Sequence, residues 1–318
     1  MGRGFVLSLF FLLCGKILSM IKLIATDLDG TLFYPKHRIF GIPTGNQRFL
    51  KKFIRDGGKV VLVSGRNPKV LHKVESQLGS KVDLIGCNGG YFLDEKGFHD
   101  KHPLDREKLL ELYSFLHRNY GVWLWMCFDE SNVLYCNTRN VPKWIERGFR
   151  FGNFFRFYFA ETLICDDSLF LDRLTNHDCY KMLLAFGLGK DGERKASQAA
   201  PALYERYKDS FEIASSSQAV EITAKGINKG LTLSDYCKAH GYSKDEVFVC
   251  GDSGNDLTMF ASFPHSFAMS HSSEAFKSNA NHVIDRISDL EEYLDTPSLY
   301  EKDSTKEFDV QKALENLA

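Results

Sequence analysis

The chain has 318 residues, with 40 lysines and arginines against 41 aspartates and glutamates and a net charge of -1. That balance offers no field for gathering DNA, RNA or an anionic membrane, so neither a nucleic-acid partner nor stable membrane association is expected. The length fits about two domains, and the eight cysteines are scattered without a CxxC pair, as buried free thiols in a reducing compartment would be.

Along the chain, Arg3 and the apolar run from Phe5 to Cys14 look like a signal-peptide core. The run is too short to span a bilayer, only one basic residue leads it, and no A-x-A-like site follows. The segment 1–20 is therefore read as an N-terminal extension, with Met20 as the natural start of a cytoplasmic protein and export as the alternative. From Ile21 short apolar runs alternate with amphipathic stretches, which is the signature of βαβ units. The spacing predicts the strand IKLIAT, a helix over 44–55, the strand KVVLVS, a helix after Asn67-Pro68 ending at Gly79, and the strand VDLIG leading to Asn88-Gly89-Gly90.

The rhythm then changes. A helix over 105–120 precedes VWLWMCF and VLYCN, which read as a hairpin, and the aromatic-rich stretch 149–159 follows. Next come a helix near 168–175, the strand CYKMLLAF, a helix near 193–207, and the strands FEIASS and AVEITA. The first rhythm resumes near Ile227 with a helix from Lys229, the strand EVFVC, a helix from Asp256, and the strands HSFAMS and HVID around a short helix. The expected fold class is α/β: a doubly wound, Rossmann-like parallel sheet with an inserted α/β domain. The expected divisions are core at 21–90 and 219–295, insertion at 91–218, and a polar C-terminal tail or loosely attached helix at 296–318.

Three polar clusters follow directly on predicted core strands: Asp27-Leu28-Asp29-Gly30-Thr31, Ser64-Gly65-Arg66 and Gly251-Asp252-Ser253-Gly254-Asn255-Asp256. Lys229-Gly230 opens a helix where the core resumes. Ligands of open α/β sheets bind outside the carboxyl ends of the strands, so these segments are expected at one crevice. Their mixture of carboxylates, hydroxyl, ammonium and amide suits a dianion together with a divalent metal. A hard cation such as Mg2+ wants oxygen ligands, which Asp27 and Asp252 can supply. A remaining oxygen of Asp27 could attack phosphorus, and Asp29 could protonate the departing alkoxide and later deprotonate water. Ser64 with Gly65, Lys229 and the amide of Asn255 are candidate phosphate donors. Asp256 is better placed to hold Lys229 or a metal-bound water than to bind metal itself.

DLDGT after an apolar strand, the serine closing VVLVSGR, INKG and GDSGND, in that order, resemble the four motifs of the haloacid dehalogenase superfamily. The insertion between the serine and lysine motifs, with CNGGYFLDEKG and CYKMLLAF, is similar to the Cof-type phosphatases with a large α/β cap. The resemblance covers Ile21 to about Tyr293 and implies a Mg2+-dependent phosphatase acting on small phosphorylated metabolites through an aspartyl-phosphate. It implies that Asp27 is the nucleophile, Asp29 the general acid/base and Ser64 a phosphate donor. Lys229 would steady the phosphate and Asp27, while Asn255 would touch the phosphate and Asp256 support the site. Mg2+ would be bound by Asp27, Asp252 and the backbone carbonyl of Asp29. A sugar phosphomutase on the same core and a non-catalytic phosphometabolite-binding protein are the alternatives.

Blander readings compete at several positions. DLDGT as a calcium loop fails, because its sixth position would be Leu32 and its twelfth Arg38. Residues 187–192 fit G-x-G-x-x-G but lie inside the insertion and read as turn chemistry. Trp123, Trp125 and the aromatics of 149–159 are expected to fill a core. Arg66 suits either a substrate anion or a core acid. His102 and His177 lack a metal-ligand constellation and read as surface residues.

Overall fold

The computed structural model describes residues 21–35, 41–145, 147, 162–216 and 219–317; the stretches 1–20 and 149–159 lie outside them. Its first strands are β1 (Leu23–Thr26), β2 (Lys59–Val63), β3 (Asp83–Gly86), β4 (Tyr91–Asp94) and β5 (Gly97–His99). The insertion contributes β6 (Leu124–Phe128), β7 (Leu134–Asn137), β8 (Leu163–Cys165), β9 (Lys181–Ala185), β10 (Phe211–Ser216) and β11 (Ala219–Ala224). Three more strands complete the core: β12 (Val247–Gly251), β13 (His265–Met269) and β14 (His282–Ile284).

The core is an eight-stranded sheet in the order β14-β13-β12-β1-β2-β3-β4-β5, parallel from β14 to β3 and antiparallel beyond. Every residue of β1, β12 and β13 is buried, as parallel strands are when helices cover both faces. Those helices include α1 (Thr44–Arg55) and α2 (Lys69–Leu78), whose Phe49, Leu50, Phe53, Val70 and Val74 pack on Ile24, Val60 and Leu62. The register sets Thr26 level with Cys250 on one side and Leu62 on the other, so the residues just past these strands share one edge.

The inserted residues form a six-stranded sheet in the order β10-β11-β9-β6-β7-β8. Helices α3 (Arg106–Asn119), α4 (Asp167–Asn176) and α5 (Gly189–Tyr207) cover one face, where Trp125, Met182, Leu184 and Ile222 meet Leu112, Phe170 and Leu203. The other face carries Leu124, Phe128 and Tyr180 into the same apolar cluster as Cys87 and Tyr91 of the core. Trp125 is thus core, whereas Trp123 is only partly buried. The glycines of 187–192 serve the turn into α5: a Cβ on Gly192 would sit 2.7 Å from the Gly187 carbonyl carbon. Lys190 and Asp191 lie in the first turn of α5 rather than at a loop tip, with Asp191 paired to Arg194 and Lys195.

Two boundaries differ from the sequence reading. Strands β4 and β5, assigned there to the insertion, extend the core sheet, while β11, assigned to the core, pairs with β9 and β10 in the inserted one. Alternating burial reveals a strand but not the sheet to which it belongs. The chain closes with α6 (Lys229–His240), α7 (Leu257–Ser262), α8 (Glu274–Lys277), α9 (Leu290–Asp295) and α10 (Val310–Glu315). Among the described residues no helix is long and apolar enough to cross a membrane.

Helices α6 and α7 touch through Gly230. A Cβ there would lie 2.1 Å from the Thr258 carbonyl oxygen, and the Gly230 amide donates to Thr258 Oγ1 at 3.1 Å. We expect Gly230→Ala to cost about 1–3 kcal/mol through overpacking. Urea denaturation checks this, and an unchanged midpoint would contradict it.

Candidate active site

Asp27 follows β1 directly, and its amide donates to the Cys250 carbonyl at 3.0 Å, holding the ends of β1 and β12 together. The chain then turns through Gly30 at φ +88°. A Cβ at that position would fall 2.3 Å from Asp252 Oδ2, so only glycine lets the turn pass this close to the carboxylate. Thr31 Oγ1 donates to Asp252 Oδ1 at 3.0 Å. Lys229 enters at the start of α6, which is capped by the Asn228 side chain accepting from the Leu231 amide at 2.9 Å. Its Nζ donates to Asp27 Oδ1 and to Asp256 Oδ1, both at 2.7 Å, with the lysine 1% exposed. The second oxygen of Asp256 accepts from the amides of Asp252 (3.0 Å) and Ser253 (3.1 Å), tying down the loop that bears Asp252.

Asp27, Asp252 and Asp256 each bring a carboxylate oxygen within 4.8 Å of the others. Two of the three acids, Asp27 and Asp256, share the buried Lys229 ammonium, and Asp252 stands beside them. Burial, reinforced by Asp256 and Asp252 against the opposing pull of Lys229, pushes the Asp27 carboxyl up to about 8. Burial and Asp256 likewise raise Asp252 to about 6. Burial disfavours the charge on Lys229, but Asp256 and Asp27 outweigh it and hold its pKa above the ordinary lysine value. A cluster of hard oxygen donors carrying uncompensated negative charge, under a glycine turn with no room for a side chain, fits a divalent cation.

The remaining candidates lie around this cluster but are engaged elsewhere. Arg66 grips Asp29 with both prongs, Nε to Oδ2 at 2.7 Å and Nη2 to Oδ1 at 2.6 Å, so the structure gives the arginine an acid partner. Ser64 is buried at the end of β2, and its Oγ accepts from the Arg66 amide at 3.3 Å. The Asn255 amide donates to Asn88 Oδ1 at 3.3 Å while its oxygen accepts from Ser253 Oγ at 3.1 Å.

Several participants were not singled out from the sequence. Asn88, in a tight turn at φ +61°, donates from Nδ2 to Glu221 Oε2 at 3.1 Å. Glu221 also pairs with Lys181 at 3.0 Å, and Lys181 Nζ donates to the Gly65 carbonyl at 3.3 Å. Lys181 and Glu221 come from β9 and β11, so the inserted sheet reaches the segment next to Ser64. A lysine inside the apolar run CYKMLLAF was the available signal. Thr31 stood in the first polar cluster without a role, and His271, whose ring stacks on Tyr34 at 3.9 Å beside Asp252, carried no such mark.

A family model described as haloacid dehalogenase-like hydrolase matches residues 24–290. The chain belongs to that family. The pyridoxal phosphate phosphatase YbhA of Escherichia coli is 27% identical to the hydrolase over 276 residues, covering 83% of this chain and 93% of the relative. Phosphatase YwpJ of Bacillus subtilis is 24% identical, covering 83% of this chain and 94% of its own. The 5-amino-6-(5-phospho-D-ribitylamino)uracil phosphatase YcsE of the same organism is also 24% identical, covering 83% of this chain and 90% of its own. Among solved structures, a haloacid dehalogenase-like hydrolase from Bacteroides thetaiotaomicron superposes with a TM-score of 0.71 at 22% identity, covering 86% of this chain and 99% of that one. The hydrolase is accordingly a phosphatase with the expected α/β fold.

The raised carboxyls give a pH signature. Asp27 and Asp252 hold their protons more tightly folded than unfolded, so their contribution favours the metal-free fold at low pH. It fades as pH rises from the ordinary carboxyl value of 3.8 towards about 8. A cation binding the ionised acids must displace those protons. Thermal melts with and without MgCl2 should show a Tm gain that grows between pH 5 and pH 8. An equal gain at both would mean that no protons are displaced.

Proposed function

We propose that the hydrolase cleaves small soluble phosphomonoesters in a Mg2+-dependent reaction through an aspartyl-phosphate on Asp27. The observation that carries this reading is the cluster of Asp27, Asp252 and Asp256 at the carboxyl edge of the sheet, with the Lys229 ammonium bonded to Asp27 and Asp256. Asp27 and Asp252, with the backbone carbonyl of Asp29, would hold the cation. When bound, it would offset the charge of the acids and of the phosphoryl group.

The chain's own residues divide the remaining work. An oxygen of Asp27 attacks phosphorus as the ester P–O bond breaks, and Asp29 gives its proton to the departing alkoxide. Water then attacks phosphorus, passes a proton to Asp29 and releases phosphate from Asp27. Both Asp29 oxygens accept from Arg66, so one of these bonds has to yield as the leaving group arrives. Lys229 keeps the Asp27 carboxylate oriented throughout, and Asp256 holds Lys229 and the loop. Ser64, the Gly65 segment and Asn255 would meet the equatorial phosphate oxygens, where donors stabilise developing charge. The inserted sheet reaches the segment next to Ser64 through Lys181, paired with Glu221, and from there it would border the leaving group. The relatives that act on pyridoxal phosphate and on a ribitylaminouracil phosphate support a small phosphorylated metabolite as substrate.

Hydrolysis of p-nitrophenyl phosphate with and without Mg2+ tests the assignment. Asp27→Asn should lose about a thousandfold or more in kcat, and equal rates for parent and variant would remove the nucleophile. Asp29→Asn should keep Mg2+ binding yet lose about a hundredfold or more in turnover; undiminished turnover would contradict its proton role. A panel of phosphorylated metabolites ranked by kcat/KM would then identify the substrate.

A further inference from the structure

The matched family region ends at residue 290, and the polar chain beyond it is pinned to the core rather than trailing. Tyr300 is buried, its ring edge-on to Phe248 at 5.0 Å. Asp303 Oδ2 accepts from His265 Nδ1 on β13 at 3.2 Å and from His282 Nε2 on β14 at 2.6 Å. The Ser304 carbonyl accepts from Asn281 Nδ2 at 2.9 Å, and Lys306 Nζ donates to the carbonyls of Ser278 (3.0 Å) and Ala280 (2.5 Å). From there the chain crosses to α7. Phe308, Val310, Ala313 and Leu317 join the cluster formed by Leu257, Met259 and Phe260, and Asp309 caps α10 by accepting from the amides of Gln311 and Lys312. The path ends on the catalytic loop: Leu314 Cδ2 lies 3.0 Å, and Leu317 Cδ1 3.7 Å, from where a Cβ on Gly254 would be.

Gly254 stands between Asp252 and Asn255, in a loop whose inner side is tied by Asp256 and whose outer side meets α10. Hydrogen bonds tie the loop to α6 through Asp256, to Ser272 through the Asp252 carbonyl and to Asn88 through Asn255, while α10 adds an apolar contact at Gly254. We propose that residues 300–317 form a strap that sets the position of the Gly251–Asp256 loop, with Leu314 as the positioning residue that bears on Gly254. In the phosphatase reading, on which the functional half of this proposal rests, the strap tunes how well Asp252 is placed for its cation. Leu314 acts through the loop and touches neither substrate nor metal.

Leu314 is 37% exposed, so Leu314→Ala leaves the core intact. The second variant ends the chain at Phe308 and removes α10. Amide hydrogen exchange over residues 252–257 should accelerate by about three- to tenfold in Leu314→Ala and further in the truncation, with exchange in β1 and β2 unchanged. The Mg2+ concentration for half-maximal p-nitrophenyl phosphate hydrolysis should rise by about threefold or more while KM for the ester moves little. Leu314→Met, which keeps the contact, should restore both. Unchanged loop exchange in both variants would overturn the proposal, as would acceleration spread evenly over the core, which marks general destabilisation. Exchange does not depend on turnover: an inactive full-length protein would overturn the phosphatase reading, leaving the strap to stand or fall on the loop amides.

Discussion

The candidate site is organised around the buried Lys229 ammonium. Lys229 is almost wholly removed from water and survives as an ammonium because Asp27 and Asp256 each offer an oxygen at 2.7 Å. A buried charge without such partners would be untenable, and breaking a buried pair of this kind typically costs about 3–5 kcal/mol. The same contacts join three distant pieces of chain: the end of β1, the start of α6 and the loop after β12. Folding the core and assembling the site are therefore a single event. The acids outnumber the ammonium at this point, and the excess negative charge makes the site a receptor for a further positive charge.

Much of this arrangement was legible in the sequence, for a physical reason. Parallel strands buried on both faces must be continuous apolar runs, so a polar cluster that interrupts such a run marks the strand's carboxyl end. Asp27, Ser64 and Asp252 were located in that way, and the register confirms that the strands carrying them finish level. Lys229 was harder, since a lysine at a helix start is ordinarily solvated; the resumption of the core rhythm after the insertion and the INKG motif marked it out.

What escaped the sequence was whatever depends on pairing between elements. The strands 91–99 alternate like those of the insertion yet extend the core sheet, and β11 does the reverse. Arg66 was compatible with two partners until the geometry gave it Asp29. The chain of contacts from Lys181 through Glu221 and Asn88 to Asn255 runs between residues up to 167 positions apart, and no local spacing encodes it. These contacts belong to the meeting of two sheets, where tertiary packing decides the partners.

The outermost strands of the core sheet, β5 and β14, are only three residues long. Flanking β14, the side chains of Asn281 and Lys306 tie the polar terminal segment to the adjacent turn. An eight-stranded sheet with long bare margins would be a template for adding strands from other molecules, the route by which β-rich proteins aggregate. Here the margins are too short to offer that template, and one is flanked by the chain's own terminal segment. The sheet can therefore be wide enough to carry its chemistry without inviting self-association at its sides.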